Sequence, residues 1–137
     1  LSRAGTTLTH RWLLQLLTGI SENMEISPGV KKEILKQGDG PAVSKGNKIT
    51  VHCTGSLAET GKKFWSTKDP GQQPFTFNCG LGQVIAGWDE GCLTMRQGEV
   101  AKLTIDHHKG YGEGGFPAWG IPPRATLQFE IEILQIQ

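Results

Sequence analysis

Apolar residues recur at every second position in several separate stretches of this 137-residue chain. In residues 48–54, Ile49, Val51 and Cys53 alternate with polar residues. The same alternation returns in three further stretches, residues 75–79, 101–105 and 127–133. Because successive side chains of a β-strand point to opposite faces, each stretch predicts a strand with one buried and one solvent-facing side. We therefore expect the chain to fold mainly as an antiparallel sheet.

Two weaker patterns predict additional short strands. One lies near Val30 and Ile34, and the other spans residues 62–67, where strict alternation sends Phe64 and Trp65 to opposite faces. The sequence therefore predicts an antiparallel sheet of about five strands.

One stretch has the helical period instead. Its apolar residues are Leu81, Val84, Ile85, Trp88 and Cys92. This spacing predicts one short helix. Gly87 and Gly91 each weaken such a helix by about 1 kcal/mol, so the helix must be stabilised by packing against the sheet. The chain also contains 19 glycines and 7 prolines, which predict many turns and short strands rather than long helices.

The chain length predicts a single domain with one hydrophobic core. Residues 28–137 carry the strand and helix patterns and are expected to form it. Residues 1–27 differ, because an apolar cluster between Trp12 and Ile20 is compatible with one or two turns of amphipathic helix. Three interpretations remain open: a docking helix, a remnant of a targeting segment, and a vector-derived or upstream translated extension before a natural start at Met24. We favour the last, and expect residues 1–27 to be disordered or not native.

Charge and cysteine content exclude several classes of protein. The net charge of +1 provides no field that would attract nucleic acid or an anionic membrane, and no apolar run approaches the roughly 20 residues that cross a bilayer. Cys53, Cys79 and Cys92 form an odd set without metal-binding spacing. They are expected to be buried, reduced and without a redox role, which favours a cytoplasmic location.

No motif for a cofactor or a nucleophile is convincing. Gly110 to Gly115 match a dinucleotide-binding pattern, but that pattern must open a helix, and the proline-rich residues 116–123 cannot continue one. His107 and His108 are adjacent, point in different directions and lack a third ligand at a metal-like spacing. We therefore expect no metal and no cofactor, and no Ser-His-carboxylate set supports nucleophilic catalysis.

The aromatic residues give a sharper signal. Most are expected to fill the core. Trp88 on the short helix, with Tyr111 and Trp119 in a glycine-rich loop, could line an apolar cavity for a small ligand.

Six motifs together resemble one family. They are Val51-His-Cys-Thr-Gly55, Gly61-Lys-Lys-Phe64, Pro74-Phe-Thr-Phe77, Val84-Ile-Ala-Gly-Trp-Asp-Glu-Gly91, Gly110-Tyr-Gly112 and Ile121-Pro-Pro123. From Gly29 to Gln137 the chain resembles the FK-type immunophilins (FKBPs), which are peptidyl-prolyl cis-trans isomerases that bind tacrolimus and rapamycin, and most of all the small plant-type members. The resemblance implies an α+β fold, an antiparallel half-barrel sheet of five to six strands wrapped around one short helix.

The resemblance also implies a binding pocket. The residues carried over as catalytic are Phe64, Trp88, Tyr111 and Phe129. Those carried over as substrate or inhibitor contacts are Cys53, Trp65, Phe75, Val84, Ile85, Phe116, Trp119 and Ile121. Trp88 is expected to form the floor, Tyr111 the rim, and the Ile85 N–H a donor to the ligand.

Two positions depart from the family pattern. Cys53 replaces a common Tyr, and Trp65 replaces the Asp that hydrogen-bonds the macrolide. The loop around Trp119 and Gly120 is also one residue longer. Losing these polar groups costs about 0.5–1.5 kcal/mol per hydrogen bond, so we expect the departures to weaken macrolide binding more than isomerisation.

The function implied by the resemblance is rotation about X-Pro bonds in an apolar pocket, which assists protein folding. The implied partners are proline-containing peptides and proteins, macrolide immunosuppressants and, through the drug, calcineurin or TOR kinase; the protein is expected to be a monomer. A twisted amide carries less charge separation than a planar one, so an apolar pocket favours it. The alternative is a binding module that uses the same pocket without significant turnover.

Overall fold

A computed structural model describes residues 23–137, and its main element is one seven-stranded sheet. The strands are β1 (Asn23–Ser27), β2 (Val30–Lys36), β3 (Lys48–Leu57), β4 (Lys63–Ser66), β5 (Phe75–Asn78), β6 (Val100–Ile105) and β7 (Leu127–Ile136). They run in the order β1-β2-β6-β7-β3-β4, and β5 pairs with β3 beside β4. Every pairing is antiparallel.

The helical elements of the described residues are short. They are α1 (Ala86–Cys92) and two 3₁₀ turns, η1 (His107–Lys109) and η2 (Pro117–Trp119). The predicted α+β class, an open antiparallel sheet around one short helix, is confirmed. The sheet has seven strands, rather than the five to six that we expected.

The additional strand is β1, which lies inside the segment expected to precede the domain. Residues 23–27 pair with β2, with Ser27 opposite Val30. The sheet therefore begins five residues before the predicted boundary at residue 28. The apolar cluster from Trp12 to Ile20, and the interpretations attached to it, lie outside the described residues.

The predicted alternation is confirmed in the central strands. In β3, Ile49, Val51 and Cys53 are buried, whereas the residues between them are partly exposed. The apolar residues of β6 and β7 face the same core. A single core therefore forms between the concave side of the sheet and α1.

The helix α1 is shorter than its apolar pattern. Leu81 is 53% exposed and, like Val84 and Ile85, precedes the first helical residue. The segment before α1 is instead a turn, because the Asp89 carboxylate accepts hydrogen bonds from the backbone N–H groups of Gly80 and Gly82.

A β-bulge in β4 corrects one prediction. Gly55 lies opposite Trp65 and Ser56 opposite Lys63, so Phe64 is an additional residue in the pairing. An additional residue breaks the alternation of faces. As a result Phe64 and Trp65 both contact the ring of Trp119, whereas strict alternation had placed them on opposite faces.

Two glycines let α1 approach the sheet closely. A Cβ atom at Gly87 would lie 2.5 Å from Ile105 Cγ2, and one at Gly91 would lie 2.6 Å from Leu103 Cδ1. Ile105 and Leu103 are fully buried in β6 and have no space to move. Packing against the sheet was expected to stabilise this helix. That packing is possible only because residues 87 and 91 carry no side chain.

We expect Gly87→Ala to destabilise the protein by a net amount of up to about 2 kcal/mol, because an overpacking cost of about 1–3 kcal/mol exceeds the roughly 1 kcal/mol that Ala gains in helix propensity. Gly114→Ala is the matched control, since nothing lies within 4 Å of a Cβ there. Urea unfolding measures both. Equal stability of the two variants would contradict the close approach.

Candidate active site

A cavity of about 220 Å³ opens at the start of α1, between the sheet and the loop that joins β6 to β7. Its lining residues are Trp65, Phe75, Gln83, Val84, Ile85, Trp88, Tyr111, Trp119 and Phe129. They come from β4, β5, β7, α1, the turn before α1 and the β6–β7 loop. The site therefore depends on the tertiary fold, not on one local motif.

Trp88 forms the base of the cavity and is only 3% exposed. The Phe129 ring packs edge-on against it with a centroid separation of 5.2 Å, and Phe77 lies 5.6 Å away. Phe75 contacts it edge-on at 5.9 Å. Rings packed in this way stabilise one another by about 0.5–1.5 kcal/mol per pair, so the indole is fixed in place.

A row of aromatic rings borders the mouth of the cavity. Trp65 stacks on Trp119 with a centroid separation of 5.7 Å, Trp119 meets Phe116 edge-on at 5.3 Å, and Phe116 stacks on Tyr111 at 5.3 Å. Phe116 and Trp119 are nevertheless 37% and 42% exposed. The rim thus offers apolar surface to a ligand beyond the cavity itself.

The turn before α1 is fixed by Asp89. Its two carboxylate oxygens accept hydrogen bonds from Gly80 N at 2.8 Å and from Gly82 N at 2.9 Å. Charge-assisted hydrogen bonds of this kind are stronger than neutral ones. They fix the backbone that leads to Gln83 and Ile85.

Few polar groups face the cavity. The Ile85 N–H donates no hydrogen bond within residues 23–137, although the Ile85 carbonyl accepts hydrogen bonds from Trp88 N and Asp89 N. Burial raises the pKa of the Tyr111 phenol, so its hydroxyl stays protonated at neutral pH and can donate. Gln83 contributes a side-chain amide, and the tryptophans of the lining carry indole N–H groups.

Among the described residues, no charged or imidazole side chain lines this cavity. Within residues 23–137, no group of His, Cys, Asp or Glu side chains is placed to bind a metal ion. No helix of the same region is long and apolar enough to span a membrane. The arrangement can enclose an apolar group and donate hydrogen bonds around it.

Comparison with known proteins decides the family. The model of the FKBP-type peptidyl-prolyl cis-trans isomerases matches residues 40–134. The chain belongs to this family. The protein is therefore an FKBP-type peptidyl-prolyl isomerase, as the sequence motifs predicted.

Two plant relatives support this assignment. The peptidyl-prolyl cis-trans isomerase FKBP12 of Vicia faba is 57% identical over 111 residues, which cover 80% of this chain and 99% of the relative. The protein of the same name from Arabidopsis thaliana is 52% identical over 111 residues with the same coverage. Among solved structures, the N-terminal domain of FKBP42 from Arabidopsis thaliana matches with a TM-score of 0.80 and 28% identity, covering 86% of this chain and 94% of that one.

The structure of this FKBP brings most of the predicted site residues together. Those that line the cavity are Trp65, Phe75, Val84, Ile85, Trp88, Tyr111, Trp119 and Phe129. The roles assigned to them in binding and catalysis stay predictions.

Four predicted residues do not line the cavity. Phe64 lies behind the wall, edge-on to Phe129 at 5.6 Å. Cys53 is 2% exposed and Ile121 is 1% exposed, and both belong to the hydrophobic core. Phe116 lies on the rim, in contact with Tyr111 and Trp119.

Sequence reasoning missed Gln83 and Asp89. Gln83 lies on the cavity wall, and Asp89 positions the turn that carries it. The sequence offered only a local signal for Asp89. Gly80 and Gly82 indicate a turn, and the backbone N–H groups of that turn need a hydrogen-bond acceptor nearby. Alternation and helical period do not reveal such a hydrogen bond.

The buried thiols of this FKBP disfavour redox regulation. Burial raises the pKa of Cys53 to about 12; burial and the charge of Asp89 raise the pKa of Cys79 to about 12. Burial also raises the pKa of Cys92 well above its ordinary value. All three are free cysteines, and the neutral thiol is a poor nucleophile.

We expect a thiol reagent at about pH 8 to modify none of the three in the native protein and all three after unfolding. The free energy of unfolding should also fall as the pH rises from about 9 to about 12, because the unfolded thiols lose protons first. Absorbance titration and unfolding curves at several pH values measure the two effects. A native thiol that reacts rapidly would restore the redox hypothesis.

The stack of Trp65 on Trp119 should couple β4 to the β6–β7 loop. We expect a double-mutant cycle of Trp65→Ala and Trp119→Ala to give a coupling of about 0.5–1.5 kcal/mol in the free energy of unfolding. A cycle of Trp65→Ala with Leu35→Ala, an exposed residue of β2, should be additive. Additivity in both cycles would show that the stack contributes nothing.

Proposed function

We propose that the cavity above Trp88 binds the prolyl ring of an X-Pro segment and lowers the barrier to rotation about the preceding amide bond. One observation carries this proposal. An aromatic cavity that contains no charged group is combined with hydrogen-bond donors at its edge. Through this rotation the enzyme assists the folding of proline-containing proteins.

The physical basis is the polarity of the amide. Resonance gives the planar amide its charge separation and a rotational barrier of about 18–20 kcal/mol. Water stabilises the planar form, whereas an apolar cavity favours the less polar, twisted form. Trp88, Phe75 and Phe129 supply the apolar surface in this proposal, and Phe64 supports Phe129 from behind.

Donors around the cavity orient the substrate. A prolyl residue has no N–H, so the segment near it presents mainly carbonyl acceptors. The Ile85 N–H and the Tyr111 hydroxyl are available to such carbonyls.

We also propose that macrolides of the rapamycin and tacrolimus type enter the same cavity, but bind weakly. The cavity of about 220 Å³ is smaller than the roughly 300–1,000 Å³ typical of sites for drug-sized ligands. The Trp65 indole packs on Trp119 and offers no carboxylate. Drug-dependent partners such as calcineurin or TOR kinase depend on this binding.

The three free, buried cysteines support a cytoplasmic location.

The rate of cis-to-trans isomerisation of an X-Pro tetrapeptide, measured with the full chain, tests this function. We expect catalysis whose kcat/KM is constant between about pH 6 and 9, because no lining group titrates there. Trp88→Leu should lower kcat/KM by roughly tenfold or more. Ile133→Val, a core change in β7 outside the lining, should leave it unchanged.

Each alternative outcome has a definite meaning. Catalysis that rapamycin removes at stoichiometric concentration would contradict weak macrolide binding. Catalysis that rapamycin does not inhibit would show that Trp65 affects the contacts with the drug and not isomerisation. A folded protein that binds the peptide without accelerating isomerisation would instead support the binding module.

A further inference from the structure

Gln83 is the residue of the cavity lining that carries a side-chain amide. Its Oε1 accepts a hydrogen bond from the Asn78 backbone N–H at 2.8 Å. Because a backbone N–H can donate only to the oxygen end of an amide, this bond fixes the orientation of the group. The Nε2 end is left without a hydrogen bond to any other residue in the described part of the chain.

The backbone at Gln83 is fixed as well. The Asp89 carboxylate binds the N–H groups of Gly80 and Gly82, immediately before Gln83. After Gln83 the chain enters α1, which is packed on β6. A donor held at both ends of its segment loses little conformational entropy when it binds a ligand.

A bound X-Pro segment needs such a donor. Its carbonyl groups leave water when the prolyl ring enters the cavity, and an unpaired buried carbonyl is unfavourable. Apart from Gln83, the lining offers side-chain donors only from Tyr111 and the indole N–H groups of the tryptophans. The free amide of Gln83 therefore matches the chemistry that the substrate presents.

We propose that Gln83 is a substrate-binding residue of this isomerase, whose Nε2 donates a hydrogen bond to a backbone carbonyl next to the X-Pro bond. This inference rests on the proposed function, because it places the prolyl segment in the same cavity. In this proposal the bound peptide is oriented by the Gln83 side chain, which is not one of the aromatic residues.

Two substitutions separate the donor from the structural role of the side chain. Gln83→Glu keeps an oxygen for the Asn78 N–H and removes the amide donor, whereas Gln83→Met removes both. Gln135→Glu makes the same chemical change at an exposed position of β7 outside the lining and is the matched control.

We expect Gln83→Glu and Gln83→Met each to lower kcat/KM by about threefold to tenfold, which corresponds to ~0.7–1.4 kcal/mol. The loss should appear mainly as a higher KM, since the bond is present before and during rotation. Gln135→Glu should match the wild type. The free energy of unfolding of Gln83→Glu should be unchanged, because the bond to Asn78 remains.

Two results would overturn the proposal. If only Gln83→Met loses activity, the side chain acts through Asn78 and not on the substrate. If the deficit of Gln83→Glu disappears in ~1 M salt, where charges are screened within ~3 Å, the new charge caused it.

A failure of the proposed function is distinguishable from a failure of this inference. The dissociation constant of the same tetrapeptide is measured by tryptophan fluorescence for all four proteins. If the wild type binds but does not catalyse, a threefold to tenfold weaker binding by Gln83→Glu still supports the hydrogen bond. Unchanged binding contradicts it.

Discussion

The contact between α1 and β6 determines whether this site can exist. Gly87 and Gly91 remove the two side chains that would separate the helix from Ile105 and Leu103. Because the helix then lies directly on the sheet, Trp88 is buried and packs against the edge of the Phe129 ring in β7. The two glycines lower the intrinsic stability of the helix. They also allow Trp88 to lie close to the sheet, where it forms the base of the cavity.

The site combines an apolar interior with polar groups confined to its edge. Within residues 23–137, no charged group lines the cavity. The Asp89 carboxylate, next to Trp88 in the sequence, accepts hydrogen bonds from two backbone N–H groups. A charged group facing the cavity would stabilise the polar, planar amide and oppose rotation. Asp89 therefore contributes through the geometry of the turn, while Ile85, Tyr111 and Gln83 provide neutral donors.

Periodicity predicts the parts of this protein that bury one face. The alternation in β3, in β6 and in residues 127–133 of β7 is strict, because these strands lie in the middle of the sheet and contact the core on one side. It ends in β7 after Ile133, where the register with β3 shifts. It fails in β4, where the bulge at Phe64 turns two neighbouring rings toward Trp119. A bulge depends on register with β3, which no pattern within four residues can reveal.

The candidate site was predictable in part from its aromatic residues and in part from the resemblance to a family. Trp88, Tyr111 and Trp119 are found in both ways, whereas Gln83 is distinguished only by its hydrogen bond to Asn78. Cys53 and Ile121 show the converse. Their positions matched pocket residues of the family, but both side chains are almost fully buried in the core and do not line the cavity.

One side of the cavity mouth is formed by the sheet and the other side by a loop. Trp65 belongs to β4, whereas Trp119 belongs to η2 within the long β6–β7 connection. Loops of more than about 12–15 residues usually open more easily than the sheet they connect. Here the bridge between Phe116 and Ile121 closes the loop on itself, and the Trp65 stack attaches it to the sheet. The same contacts that narrow the mouth of the cavity therefore hold Trp119 at its rim, where the proposed function requires a fixed apolar surface.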